Sequence, residues 1–379
     1  MSAPVAPTKP AASPVTRNHP FIAHVRENRF LNKKGSEKDT RHVVIELGSS
    51  GPTYVCGDSL GVLPRNPNRL VEEFLEKLGL SGDATLTETI TAATVLNRAG
   101  KKFVKMAAEK SPASPARDRL QEVCADEAKL DAYVADRDAV DVLADAPGLQ
   151  VDPAELPSLL PKVAPRLYSI ASSPDHRPGE VHLTVAVVKY TTHGRPKQGL
   201  ASGYLADLTP TSTVPVFVQP TRHFHLPSPD SDMIMVGPGT GIAPFRAFLQ
   251  HRKHHAHPGK NWLLFGDQRA NTDFLYGDEF SEAQKSGHLH KLSTAFSRDQ
   301  AEKIYVQHRM LQEGAELWRW LDRGAYFYVC GDAKRMAKDV HAALLQIVAT
   351  HGGKTPEQAE EWLSVTFSKT EKRYLKDVY

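Results

Sequence analysis

The chain predicts two folds in series. The first is α+β, an antiparallel β-barrel with an inserted helical subdomain, and the second is α/β, a doubly wound parallel sheet. Three observations carry this. Short β-branched runs bounded by turn residues recur before and after a helix-periodic stretch that starts at Asn68 and fades near Gly148. From Asp232 the texture changes to strands alternating with helices, the pattern of a parallel sheet covered on both faces. At 379 residues the chain is too long for one core of ordinary size.

In order, residues 1–18 are rich in Pro, Ala, Ser and Thr and are expected to form an extended or disordered tail, because such a composition buries no core. Residues 19–67 and 149–229 are expected to build the barrel, residues 68–148 the helical subdomain and residues 230–379 the parallel sheet. Barrel strands are predicted over residues 21–25, 41–47, 54–64, 166–173, 181–190 and 213–218. In the helical part Leu70, Phe74, Leu75 and Leu78 share one face, and Leu130, Tyr133 and Val134 another. Parallel strands are predicted over residues 233–236, 261–266, 290–293 and 325–330. Helices are expected over residues 244–252, 277–285, 304–313, 333–348 and 355–363.

Composition narrows the function. A formal net charge of +3, with acids and bases interspersed, argues against a nucleic-acid binder. Cys56, Cys124 and Cys330 show neither a disulfide framework nor a metal-ligand spacing, so a reducing compartment and no metal are expected. The run from His251 to His257 reads as a solvated, cationic helix end. No apolar stretch reaches the roughly 18 residues that span a bilayer, and no secretion signal is visible, which predicts a soluble, cytoplasmic protein without membrane contact.

Five motifs carry chemistry. In Arg166-Leu167-Tyr168-Ser169-Ile170-Ala171-Ser172-Ser173 an arginine can clamp a pyrophosphate. Two residues on, an aromatic on the same strand face can cover a flat ring, and the serine can bond the ring edge. Gly199-Leu200-Ala201-Ser202 offers backbone N–H groups to a phosphate at a helix start. Gly237-Pro238-Gly239-Thr240-Gly241 lies between a predicted strand and helix, where a second pyrophosphate would sit. Ser297, Arg298 and Lys303 can surround one dianionic group, with Tyr305 against an adenine. Cys330 ends a predicted parallel strand, at the edge where such sheets bind ligands.

Together these runs resemble the FAD and NADP domains of the ferredoxin-NADP reductase superfamily and, within it, the diflavin reductases. The flavoprotein component of NADPH-dependent sulfite reductase is the nearest pattern, and the likeness runs from about His19 to Tyr379. The resemblance implies FAD contacts at Arg166, Leu167, Tyr168, Ser169, Thr184, Val185, Ala186, Tyr190, Gly199, Leu200, Ala201 and Ser202, with Tyr379 stacked on the flavin. It implies NADPH contacts at Gly239, Thr240, Ser297, Arg298, Lys303, Tyr305, Gln307 and Asp339, and catalytic roles for Ser169, Cys330 and Asp377. If Arg298 and Lys303 each make a charge-assisted bond to the 2′-phosphate, the pair supplies about 3–6 kcal/mol, roughly two to four decades of preference for NADPH over NADH.

Two departures matter. Where diflavin reductases carry an FMN domain this sequence offers only the short tail, so no FMN is expected. Electrons are then expected to leave FAD directly or through a separate carrier, such as a flavodoxin, a ferredoxin or the sulfite reductase hemoprotein. Residues 96–103 depart from the aromatic, threonine-rich stretch that touches FAD in relatives, so no contact is assigned there. The alternatives are a stand-alone ferredoxin- or flavodoxin-NADP reductase and, from another class, a redox-silent FAD-containing docking subunit.

Overall fold

The computed structural model describes residues 15–379. Of the expected tail, residues 1–14 lie outside the described part, and Thr16 and His19 form a short antiparallel bridge. The chain divides into two units. One comprises the described residues up to Gly61 with Leu167–Ala186 and Thr209–Tyr379, the other Val62–Arg166 with Val187–Leu208.

The first unit holds most of the barrel. Its strands are β1 (Phe21–Phe30), β2 (Thr40–Glu46), β3 (Ser59–Val62), β4 (Arg166–Ser169) and β5 (Glu180–Ala186). The second unit contributes a hairpin, β6 (Lys189–Thr192) and β7 (Arg195–Gln198), before β8 (Thr213–Gln219) returns to the sheet. The sheet runs β4-β3-β8-β1-β2-β5. Strand β1 alternates, with Ala23 and Val25 buried between exposed neighbours, as a half-buried antiparallel strand should. At Gly61 a Cβ would stand 2.3 Å from the Phe217 ring, so only glycine lets β3 pack there.

The same unit holds a parallel sheet of β9 (Met233–Val236), β10 (Asn261–Asp267), β11 (Lys291–Phe296), β12 (Tyr326–Gly331) and β13 (Tyr374–Val378), ordered β11-β10-β9-β12-β13. All four residues of β9 are buried, as strands covered on both faces must be. The order reverses between β9 and β12, a switch point at whose carboxyl edge ligands of such sheets bind.

Three differences from expectation stand out. Only residues 59–62 of the predicted 54–64 strand pair, because Val55–Asp58 forms a turn closed by Asp58 N to Val55 O at 3.1 Å, with Gly57 at φ +105°. The predicted 181–190 strand is two strands. Its break is fixed by Ser202 Oγ, which accepts from Val188 N at 3.1 Å and removes that donor from any ladder. Strand β13 and the helix Gly314–Asp322 had no expectation at all.

The second unit is chiefly helical: Asn68–Lys77, Ala84–Ala93, Lys101–Lys110, Pro115–Cys124, Glu127–Ala135 and Ala139–Ala144 pack around Phe74, Ile90, Phe103, Leu130 and Val142. Asp83, Ser114, Asp126 and Asp138 each accept a backbone N–H at a helix start, which explains where four of these helices begin. Among the described residues no helix is long and apolar enough to cross a membrane.

Candidate functional site

Three predicted catalytic residues meet at one oxygen. Parallel register sets Cys330 of β12 beside Asp377 of β13. Ser169, at the end of β4, donates from Oγ to Asp377 Oδ2 at 2.6 Å, and Cys330 Sγ lies 3.7 Å from the same oxygen. Burial and then the Asp377 carboxylate push the Cys330 thiol well above its usual range, so at neutral pH it stays a protonated thiol. Nothing here activates it as a nucleophile.

Tyr379 follows β13 without fraying. Its N–H bonds Gly331 O at 3.1 Å and its carbonyl accepts from Ala333 N at 3.1 Å. The residue is 55 % exposed, with its hydroxyl 2.9 Å from Thr240 Oγ1. This brings the turn after β9 next to the end of β13, at the carboxyl edge of the sheet.

That turn is built for close backbone approach. Gly239 has φ +57° and open space beyond its Cα, whereas a Cβ on Gly241 would come 2.0 Å from Cys330 O. The first glycine therefore leaves room for a ligand and the second seats the turn on β12. The 3₁₀ turn Gly239–Ile242 has no side-chain cap, which leaves its first N–H groups for a phosphate, so the residues present fit a dinucleotide.

Ser297 and Arg298 leave β11 at the same edge, held by Ser297 N to Asp267 O at 2.9 Å and Arg298 N to Gln268 O at 2.8 Å. Arg298 is exposed and pairs with Glu37 at 2.6 Å. Lys303 is exposed, and Tyr305 opens the helix Val306–Gln312 with its ring 43 % exposed. Gln307 donates to Asp339 at 3.2 Å.

The residues expected against the flavin fall in both units. In the first, Leu167 is exposed, Tyr168 is half-buried, and Thr184 is buried with its hydroxyl 2.8 Å from Tyr276, so Thr184 and buried Val185 can offer only backbone, and Ala186 is exposed. In the second, Arg166 and Tyr190 are exposed, and Gly199 starts the helix Leu200–Asp207 without a side-chain cap. A Cβ on Gly199 would crowd Ser202 Oγ at 2.8 Å and Val188 Cβ at 3.0 Å, so the loop is glycine-specific and its N–H groups suit a pyrophosphate. Ala201 is half-buried, and Ser202 is spent on holding the loop.

Sequence reasoning passed over the groups that hold these loops. Arg246 is buried, forks onto Glu279 at 2.8 and 2.9 Å, and donates to Ala171 O at 2.8 Å, which fixes the segment after β4. In the second unit Asn97 donates to Gln198 O at 2.9 Å, next to Gly199. Arg246 stands five residues after the glycine-rich run, among the apolar residues of the following helix, and an arginine in that setting was the available signal.

Residues 13–92 and 85–204 match the family described as FAD binding domain, and residues 235–342 match the one described as oxidoreductase NAD-binding domain. The chain belongs to the FAD binding domain family. Its second half adds the oxidoreductase NAD-binding match to this FAD-binding one. Among curated relatives, the NADPH sulfite reductase flavoprotein alpha-component of Bacillus subtilis strain 168 is 43 % identical over 388 residues, covering 100 % of this chain and 64 % of the relative. Those of Cronobacter sakazakii and Escherichia coli K12 are 44 % identical over 375 and 374 residues, each covering 97 % of this chain and 62 % of the relative. The chain thus spans less than two thirds of the length of these curated relatives.

Proposed function

We propose that this chain is a flavin oxidoreductase that accepts a hydride from NADPH and passes electrons to a protein acceptor, in the manner of a sulfite reductase flavoprotein. The observation that carries the reading is the meeting of Ser169, Cys330 and Asp377 at one carboxylate oxygen, at the switch-point edge and beside Tyr379 and Thr240. When bound, FAD supplies the exchange between two-electron and one-electron chemistry.

In this reading Asp377 orients the Ser169 hydroxyl, and the pair is fixed before any cofactor arrives, so no reorganisation is needed at the moment of transfer. Cys330 supplies a neutral, buried surface against the nicotinamide and keeps water out. Tyr379 covers the flavin ring and swings aside for nicotinamide. Arg298, Lys303 and Ser297 hold the 2′-phosphate, with Tyr305 against the adenine and Gln307 and Asp339 beside it. Gly239 and Thr240 hold the NADPH pyrophosphate. Arg166, Tyr168, Tyr190 and the Gly199–Ser202 loop hold FAD.

The acceptor is proposed to be the sulfite reductase hemoprotein, with a flavodoxin or ferredoxin as the other candidates, and the setting cytoplasmic. Sulfite as end substrate rests on the names of the relatives. Ser169→Ala and Asp377→Asn are expected to slow flavin reduction about 100-fold while leaving FAD content unchanged, as stopped-flow absorbance would read. Unaltered reduction rates in both variants would remove the trio from the mechanism.

A further inference from the structure

The run His251-Arg252-Lys253-His254-His255-Ala256-His257 closes the helix Ala243–His254. His251 and His255 are one helical turn apart and share a face. The fold sets Asp175 against it: Asp175 Oδ2 lies 3.2 Å from His251 Nδ1 and 2.8 Å from His255 Nε2. The three donor atoms fall within 4.8 Å of one another.

His255 is hydrogen-bonded to the carboxylate, but His251 is not. Its Nδ1 is shielded from solvent and has no hydrogen-bond partner, although the carboxylate oxygen is 3.2 Å away. A buried ring nitrogen that faces a carboxylate oxygen without a hydrogen bond to it keeps its lone pair for a shared cation. A tetrahedral ion with bonds of about 2.0–2.1 Å to nitrogen and oxygen sets its ligand atoms about 3.3 Å apart, near the separation seen here.

The donors are also held in advance. The segment after β4 runs along the helix and then enters a turn that carries Asp175, closed by Arg177 N to Ser173 O at 2.9 Å. Ala171 O accepts from Arg246, Ser173 N donates to Gln250 Oε1 at 3.1 Å, and Asp175 comes next, against His251 and His255. The third rung of this seam is the histidine–carboxylate cluster. The His257 ring is 5.5 Å from that of His251 and 5.7 Å from that of His255, within reach of a fourth position.

We propose that Asp175, His251 and His255 form a divalent transition-metal site whose ion is Zn²⁺, with His257 or water as the fourth ligand. Two imidazoles and one carboxylate suit zinc, whereas Mg²⁺ and Ca²⁺ select all-oxygen sets. The ion clips the segment that follows the flavin strand to the helix that follows the glycine-rich turn, and it stands independently of the redox reading.

The test uses untagged full-length chain stripped with a chelator and loaded with Zn²⁺ or Co²⁺. One equivalent of Zn²⁺ is expected to survive desalting, and Co²⁺ to give the intense visible bands of a four-coordinate site. Asp175→Asn and His255→Ala alter exposed or half-exposed groups and should each lower affinity at least 10-fold with circular dichroism unchanged. His257→Ala lowers it only if that ring is the fourth ligand, which fixes the coordination shell. Substoichiometric Zn²⁺ after desalting, or equal affinity in wild type, Asp175→Asn and His255→Ala, would mean an adventitious ion only and overturn the proposal.

Discussion

Arg298 shows how little a single charged residue says about itself. In the sequence it sits in a polar run that could be any solvated helix start, and in the fold it leaves β11 at the carboxyl edge with its guanidinium on Glu37. A 2′-phosphate carries more charge than that carboxylate and accepts from several directions, so it should displace Glu37. Arg298→Ala is expected to lower kcat/KM for NADPH about 10- to 100-fold and leave NADH nearly untouched, the loss of one charge-assisted bond of about 1.5–3 kcal/mol. Equal losses for both nucleotides in steady-state assays would assign Arg298 a structural role. Cys330 teaches the complement. Its position beside Asp377 needs β13, and no strand was expected over residues 374–378, so the cysteine was legible while its neighbour across the ladder came only from the resemblance.

Elements with a strong local signature were read closely. The helix Gly277–Lys285 lies where it was expected, and β9 matches residue for residue. What escaped were elements set by tertiary partners: the turn at Val55–Asp58, the break at Val188 and the edge strand β13, each fixed by bonds to distant or non-periodic groups. The hairpin β6–β7 is another such element. Lys197 is buried and bonds Asp141, and Arg195 reaches Asp138 at 2.8 Å and Asp141 at 2.9 Å, so two cations meet the capping box of the Ala139–Ala144 helix. Burial opposes the ionised form of Asp141, and the hydrogen bond from Lys197 overcomes it, holding that carboxyl below its usual range. Asp141→Asn leaves a buried ammonium short of its counterion and should cost about 3–5 kcal/mol, read as a lower urea midpoint at constant m-value. A change under about 1 kcal/mol would show that Asp138 compensates Lys197 alone.

Across the molecule, the seam between barrel and parallel sheet within the first unit depends on neutral histidines. His42 donates to or accepts from Tyr276 at 2.8 Å and faces His182 and Arg246. Burial first, and then Arg246, push its pKa down to about 2. The unfolded chain takes up a proton near pH 6.5 and the folded chain does not, so this contribution is complete above about pH 6.5 and drains as pH falls toward the folded value, at about 1.4 kcal/mol per pH unit. Between pH 6.5 and 5 the fold should lose about 2 kcal/mol through this group, and His42→Gln should remove that share of the loss in urea titrations. An identical pH dependence in wild type and variant would mean that His42 is protonated in the fold.

In the proposed function, one chain holds a flavin and a nicotinamide in register for hydride transfer, with the phosphorylated nucleotide preferred. Anaerobic stopped-flow mixing of the FAD-loaded protein with NADPH and, separately, with NADH tests it most directly. Rapid bleaching of the flavin absorbance by NADPH is expected, with a rate at least about 100-fold lower for NADH at equal concentration. Bound FAD that neither nucleotide bleaches would contradict it and leave a redox-silent flavin-binding subunit.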